Sequence, residues 1–125
     1  MNVAILGASE KPDRFAFKAQ QLLAEHGHTT FPISLSGKEI LGRPGYKSLP
    51  DIPTEEGPIH TITVYMNPTR FAEIAEDVLA SSPSRIIFNP GTESPEIAER
   101  FRQAGIHVVE ACTLILLNDG EFESA

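Results

Sequence analysis

The sequence predicts an α/β fold, a doubly wound, mostly parallel, Rossmann-like sheet of about five or six strands with helices on both faces. Short apolar runs typical of buried strands alternate along the 125 residues with amphipathic segments at helical spacing. This alternation favours parallel strands joined by right-handed helical crossovers. The length and the hydrophobic fraction of 41% fit one domain over residues 1–125.

The first strand, helix and second strand are predicted at the start of the chain. Val3–Leu6 is a continuous apolar run that stops at Gly7, as a strand buried on both faces does. The helix is indicated by four apolar residues at helical spacing, namely Phe15, Ala19, Leu22 and Leu23. Gly27 supplies a signal for its end. Thr29–Ile33 has strand composition. Because Pro32 has no N–H group to donate, either the strand lies near an edge of the sheet or the proline lies at the end of the strand.

A long irregular segment separates this unit from the next strand. Residues 34–58 contain many Gly, Pro and Ser residues without a sustained period, which is typical of a functional loop or of a disordered segment. Thr61–Tyr65 then resumes strand composition. Asn67-Pro68 follows it as an N-cap and a first-turn proline, which predicts the start of a helix.

The same pattern recurs once more before the end of the chain. Arg85–Phe88 is the fourth predicted strand, and Ser94-Pro95 predicts the start of the helix after it. His107–Val109 is the fifth predicted strand. The last apolar run, Leu114–Leu117, is either a short helix or a sixth strand, because a run of this length fits both.

Charge and composition exclude several classes of function. A net charge of −7 disfavours general nucleic-acid binding. No apolar run is long enough to span a membrane and no basic leader precedes Val3, so we expect a cytoplasmic protein with no membrane partner. Cys112 is the single cysteine, which fits a reducing compartment and excludes a multi-cysteine metal site. We predict no metal site, and a homo-oligomer stays open.

The charge is unevenly distributed along the chain. Residues 1–47 carry a net charge of +2, whereas the remainder carries −9. An anionic ligand is therefore expected to bind through the first third of the chain. In an open parallel sheet, ligands lie beyond the carboxyl ends of the strands. The loops at those ends span residues 7–14, 34–38, 66–68, 89–94 and 110–113.

The loop after the first strand has the composition of a phosphate site. The backbone N–H groups of Gly7-Ala8-Ser9, the serine hydroxyl and the following helix N-terminus can converge on a phosphate. Lys11 and Arg14 add positive charge to this loop, although a tight turn without a ligand explains the glycine equally well. The G-x-G-x-x-G fingerprint and an acid after Ile33 are both missing, which disfavours NAD but not NADP.

Several segments together resemble a known family. They are Gly7-Ala8-Ser9, Lys11-Pro12, Arg14, Ile40-Leu41-Gly42, Tyr46-Lys47-Ser48-Leu49 and Phe88-Asn89-Pro90-Gly91. In this order they resemble the small CoA-binding domain proteins, which are similar to the nucleotide-binding domain of the succinyl-CoA synthetase alpha subunit. The likeness covers almost the whole chain.

The resemblance implies a Rossmann-like domain that binds coenzyme A. Gly7, Ala8, Ser9, Lys11 and Arg14 would then hold phosphate. The adenosine and its 3′-phosphate would lie near Ser34 and Lys38. Members of the family often have Val-Asn-Pro after the second strand, where this chain has Ile-Ser-Leu at residues 33–35.

Five further residues are candidate ligand contacts because they lie at the same predicted edge of the sheet. They are Met66, Asn67, Asn89, Gly91 and Thr92. No nucleophile stands beside a general base at a usable spacing, and Cys112 is interpreted as an inert, buried thiol. We therefore predict a protein that binds coenzyme A or an acyl-CoA without catalysis, the alternative being an NADP-binding oxidoreductase.

Overall fold

The computed structural model describes residues 1–125 and contains one parallel sheet of five strands in the order β2-β1-β3-β4-β5. The strands are β1 (Asn2–Leu6), β2 (Thr29–Ile33), β3 (Thr61–Val64), β4 (Arg85–Phe88) and β5 (His107–Glu110). All neighbouring pairs run parallel. The predicted fold class is confirmed, and Pro32 lies in an edge strand, as its missing N–H group requires.

Four α-helices cover the two faces of the sheet. They are α1 (Phe15–Glu25), α2 (Pro68–Ala80), α3 (Pro95–Gln103) and α4 (Thr113–Asn118). The run Leu114–Leu117, for which the sequence left two alternatives, is the body of α4. None of the helices has the length and apolar composition needed to cross a membrane.

Two apolar cores lie on opposite faces of the sheet. One core joins α2 and α3 to the sheet through three aromatic rings, Phe71, Phe88 and Phe101. The other core packs α1 and α4 against β1 and includes Leu23 and Leu117. Helices therefore lie on both faces of the sheet. Because the strands are parallel, all of their carboxyl ends lie along one edge.

The predicted stripe of α1 is wrong at its first position. The side chain of Phe15 is 69% exposed, whereas Ala19 and Leu23 are fully buried. Phe17 packs against the core from the first turn. The ring of Phe15 instead lies beside the Lys18 ammonium group, 5.8 Å from the ring centroid. Sequence spacing favours Phe15, but Ala16 and Phe17 are the residues of the first turn that reach the core.

Residues 34–58 run along the open edge of β2 and then below the sheet. The Tyr46 N–H donates to the Pro32 carbonyl, and the Ser34 N–H donates to the Tyr46 carbonyl. Arg43 Nε donates to the Thr30 carbonyl at 2.8 Å. The segment therefore covers the edge strand and places its own residues beside the carboxyl end of β2.

Candidate ligand-binding site

The principal cavity of the protein lies at the carboxyl edge of the sheet and has a volume of about 790 Å³. Three loops form its walls. The β1–α1 loop contributes residues 7–11, the segment after β2 contributes residues between 33 and 47, and the β3–α2 connection contributes residues between 65 and 74. This location is the one that the parallel sheet predicts for a ligand.

A second cavity of about 350 Å³ adjoins the first one. The two share the walls formed by Gly7, Ser9, Lys11 and Tyr65. Arg14 lines only the smaller cavity, together with the first residues of α1. Lys11 thus faces both cavities, and Arg14 approaches the shared loop from the helix side.

The backbone of the β1–α1 loop corrects one part of the sequence-based prediction. The N–H groups of Gly7 and Ala8 both donate to the Ile33 carbonyl, at 3.1 and 3.0 Å. These two amides are therefore not available to a phosphate, so the expected cradle is wrong at these positions. Gly7 is required for a different reason, since its φ is +84° and a Cβ would lie 2.5 Å from the Tyr65 carbonyl oxygen.

The free N–H groups lie further along the same loop. The amides of Ser9 and Glu10 have no acceptor within the protein, and the Ser9 hydroxyl accepts a bond from the Lys11 N–H at 3.1 Å. Helix α1 starts after Arg14 without a capping side chain. Its first-turn amides therefore lack an internal acceptor, and a helix end of this kind attracts an anion.

The segment after β2 brings two lysines to the principal cavity. Ser34 and Lys38, both predicted ligand contacts, line it together with Lys47. The chain approaches closely here, because a Cβ at Gly45 would lie 1.9 Å from the Lys38 carbonyl oxygen. The Ser34 hydroxyl accepts from the Gly37 N–H at 3.2 Å, which closes the turn that presents Lys38.

The third wall combines apolar and polar side chains. Met66 lines the cavity while packing against the core of the α2 face. Asn67 also lines it, but its side-chain oxygen accepts from the Arg70 N–H at 2.9 Å and so caps α2. Arg70 and Glu73 complete this wall one and two turns into the helix.

Tyr65 separates the two cavities at the end of β3. Burial raises the pKa of Tyr65 to about 12. The phenol is therefore protonated at neutral pH. Its buried hydroxyl has no hydrogen-bond partner within the protein.

Asn89, Gly91 and Thr92 lie outside both cavities. The Asn89 amide group donates to the Thr63 hydroxyl and to the Val64 carbonyl, at 2.7 and 2.8 Å, and its oxygen accepts from the Thr113 N–H at 2.9 Å. The Thr92 hydroxyl donates to the Asn89 carbonyl at 2.7 Å. These polar groups tie β3, β4 and α4 together, so we do not include the three residues in the proposed site.

Cys112 is half-buried at the residue that precedes α4. The sequence predicted a buried thiol, so this prediction is wrong in its degree of burial. Thr113, the next residue, is fully buried and pairs with the Thr63 hydroxyl at 2.8 Å. Leu117, also in α4, is buried in the apolar core.

Sequence reasoning missed five charged or aromatic residues of the principal cavity. They are Glu10, Lys47, Tyr65, Arg70 and Glu73. The first belongs to a loop that was already selected by its position, and the tyrosine directly follows a predicted strand. Lys47 is brought to the cavity by the close contact of Gly45 with residue 38. No local sequence pattern reveals this contact.

Comparison with known proteins identifies the family. A family model described as a CoA binding domain matches residues 1–118. The chain belongs to this CoA-binding domain family. Membership supports binding of a CoA-related ligand at a general level.

Two uncharacterized proteins are similar to this chain over most of its length. The chain is 23% identical to the uncharacterized protein YneT of Bacillus subtilis strain 168 over 107 residues, which cover 86% of this chain and 77% of that protein. A crystal structure of an uncharacterized protein is 36% identical, covers 97% of both chains and has a TM-score of 0.88.

A larger enzyme shares the fold alone. The dinucleotide-forming acetyl-coenzyme A synthetase 1 of Ca. Korarchaeum cryptofilum is 16% identical to this chain, with a TM-score of 0.73. The match covers 88% of this chain and 25% of the enzyme.

Proposed function

We propose that this protein binds coenzyme A or an acyl-CoA without catalysing a reaction, through the two joined cavities at the carboxyl edge of its sheet. The observation that carries the proposal is the positive charge around two adjoining cavities. Lys11, Arg14, Lys38 and Lys47 line one or both of them. Cations around a cleft raise the local concentration of a polyanionic ligand although the whole chain is acidic.

The pyrophosphate of the ligand fits the loop that both cavities share. The free amides of Ser9 and Glu10, the Lys11 ammonium group and the uncapped start of α1 are the available donors. Arg14 lies at the first residue before that helix and reaches the same position from the smaller cavity. Gly7 and Ala8 shape this loop and do not donate to the ligand.

The remaining walls of the principal cavity suit the two ends of the molecule. The adenosine and its 3′-phosphate are assigned to the wall that contains Ser34, Lys38 and Lys47, where the positive charge lies. The pantetheine is assigned to the wall that contains Met66 and Asn67, which offers apolar contact together with polar groups. Non-polar surface with a few polar contacts is typical of small-molecule sites.

The absence of catalysis in this proposal rests on the chemistry of the side chains that face the ligand. Tyr65 holds its proton at neutral pH because burial raises its pKa to about 12. Glu10 and Glu73 are exposed carboxylates, and no serine, threonine or cysteine nucleophile of the cavity is hydrogen-bonded to either of them. A general base must lie within hydrogen-bond reach of the group that it activates.

A pair of arginine variants tests the proposal. Arg14→Ala removes a contact to phosphate, and a hydrogen bond between charged groups contributes roughly 1.5–3 kcal/mol. We therefore expect CoA to bind at least tenfold more weakly to this variant in calorimetry at fixed salt. Arg100→Ala removes the same charge from α3, where the guanidinium pairs with Glu76, and it should leave the affinity unchanged.

The same measurements separate CoA from the alternative ligand, NADP. The Lys38 and Lys47 ammonium groups can accommodate a ribose 2′-phosphate as well as a 3′-phosphate, so NADP must be titrated beside CoA. Saturation with CoA should raise the melting temperature, with about 2.7 kcal/mol of stabilisation at 100 times the dissociation constant. A melting temperature that rises with NADP and not with CoA contradicts the proposal.

A further inference from the structure

Glu10 and Lys38 form an ion pair between two walls of the principal cavity. The Lys38 Nζ lies 3.7 Å from the Glu10 Oε1 atom, and the two residues belong to different walls, the β1–α1 loop and the segment after β2. Their side chains are 62% and 59% exposed. This salt bridge therefore joins the two walls through exposed side chains.

The surroundings of Glu10 are otherwise cationic. Lys11, Lys38 and Lys47 line the two walls that the ion pair joins, whereas Glu73, the other acid of the cavity, lies on the third wall. Glu10 has no second ion pair and its side chain has no hydrogen bond. Its carboxylate is therefore held in place by Lys38 alone.

The backbone on both sides of this pair is fixed more firmly than the side chains. The Lys11 N–H donates to the Ser9 hydroxyl, and the Lys38 N–H donates to the Ser36 hydroxyl at 3.3 Å. Gly45 packs directly against the Lys38 carbonyl, so that loop has little room to shift. Opening of the ion pair thus requires rotation of Glu10 toward solvent and no movement of the loops.

We propose that Glu10 is a specificity-determining residue that competes with the phosphate groups of the ligand for Lys38. This inference rests on the proposed function, and it adds a residue that opposes binding. In the empty site the carboxylate neutralises Lys38. A ligand phosphate displaces it, and a ligand without a phosphate at that position gains nothing from the displacement. Glu10 therefore lowers the affinity of ligands that carry a phosphomonoester next to the adenosine more than that of ligands without one.

The magnitude follows from the exposure of the pair. An exposed ion pair contributes little, so its removal corresponds to a change in affinity of roughly two- to fivefold. Glu10→Gln should therefore tighten CoA binding by that factor. Dephospho-CoA, which lacks the 3′-phosphate, should gain less.

The matched control is Glu39→Gln. Glu39 is an exposed acid next to Lys38 in the chain, and it does not line the cavity. This variant makes the same change in net charge within the same segment. It should leave the affinity for CoA unchanged, because the long-range effect of an exposed charge is largely screened in salt.

The experiment is a double-mutant cycle by calorimetry with CoA and dephospho-CoA. It compares the wild type, Glu10→Gln, Lys38→Met and the double variant. Support consists of tighter CoA binding by Glu10→Gln, a smaller effect in the Lys38→Met background and no effect of Glu39→Gln. If Glu10→Gln binds CoA no more tightly than the wild type does, the inference is overturned. The proposed function is then still supported, because the wild type binds CoA. Failure of the wild type to bind CoA overturns the proposed function itself.

Discussion

Replacement of Asn89 by alanine should destabilise the protein strongly and leave its affinity for CoA nearly unchanged. Asn89 is 2% exposed, and its side chain makes hydrogen bonds with Thr63, Val64 and Thr113. These bonds connect two strands to the first residue of α4. The position directly follows a strand at the ligand edge, so sequence alone assigns it to the ligand.

The expected loss can be worked out from these contacts. Each hydrogen bond contributes about 1 kcal/mol net, and the three partners that stay behind are buried polar groups. The free energy of unfolding should therefore fall by about 3 kcal/mol. Asn67→Ala is the comparison, because that side chain makes a single capping bond at the surface, and its loss should cost about 1 kcal/mol.

Urea denaturation of the two variants and the wild type measures this difference, and calorimetry with CoA measures the affinity. We expect Asn89→Ala to have the lower midpoint and to bind CoA within twofold of the wild type once folded. If Asn89→Ala is no less stable than Asn67→Ala, the network does not have the role given to it here. Loss of CoA binding at unchanged stability would return Asn89 to the ligand site.

Two further predictions concern stability. Gly7→Ala and Gly91→Ala both force an alanine into the left-handed region, at φ of +84° and +89°. Only at Gly7 does the added Cβ collide with backbone atoms. The urea midpoint should therefore fall further for Gly7→Ala than for Gly91→Ala. Equal losses would contradict the close contact with Tyr65. Burial lowers the pKa of His28 in the folded state. As the pH drops, His28 is therefore protonated in the unfolded state before it is protonated in the folded state. The free energy of unfolding should fall below a pH of about 6.5. A His28→Gln variant should show a weaker fall between pH 7.5 and 5.5 in the same assay, and an unchanged fall would contradict this assignment.

Local signals in the sequence predicted the elements of the fold well because their physical causes are local. Asn67 and Ser94 accept hydrogen bonds from the first turns of α2 and α3. Gly27 and Gly105 have positive φ after α1 and α3. Each of these residues acts within about four positions of itself, which is the range that a sequence pattern covers.

The sequence predicted the candidate site at the edge of the sheet where the two cavities lie, but some of the predicted residues make other contacts. Gly7 and Ala8 were expected to present amides to a phosphate, whereas both donate to the Ile33 carbonyl of β2. Lys47 enters the cavity through the approach of Gly45 to residue 38. Contacts of this kind join segments that are distant in sequence, so neither periodicity nor residue type reveals them.

The most direct test of the central claim is mass spectrometry of the ligands released from purified protein. The protein should be isolated under native conditions, denatured, and its low-molecular-mass fraction compared with that of Arg14→Ala purified in the same way. We expect CoA or an acyl-CoA to be released from the wild type and to be depleted in the variant, because the variant lacks one of the cations around the joined cavities. Recovery of NADP, with neither CoA nor an acyl-CoA detected, would contradict the account.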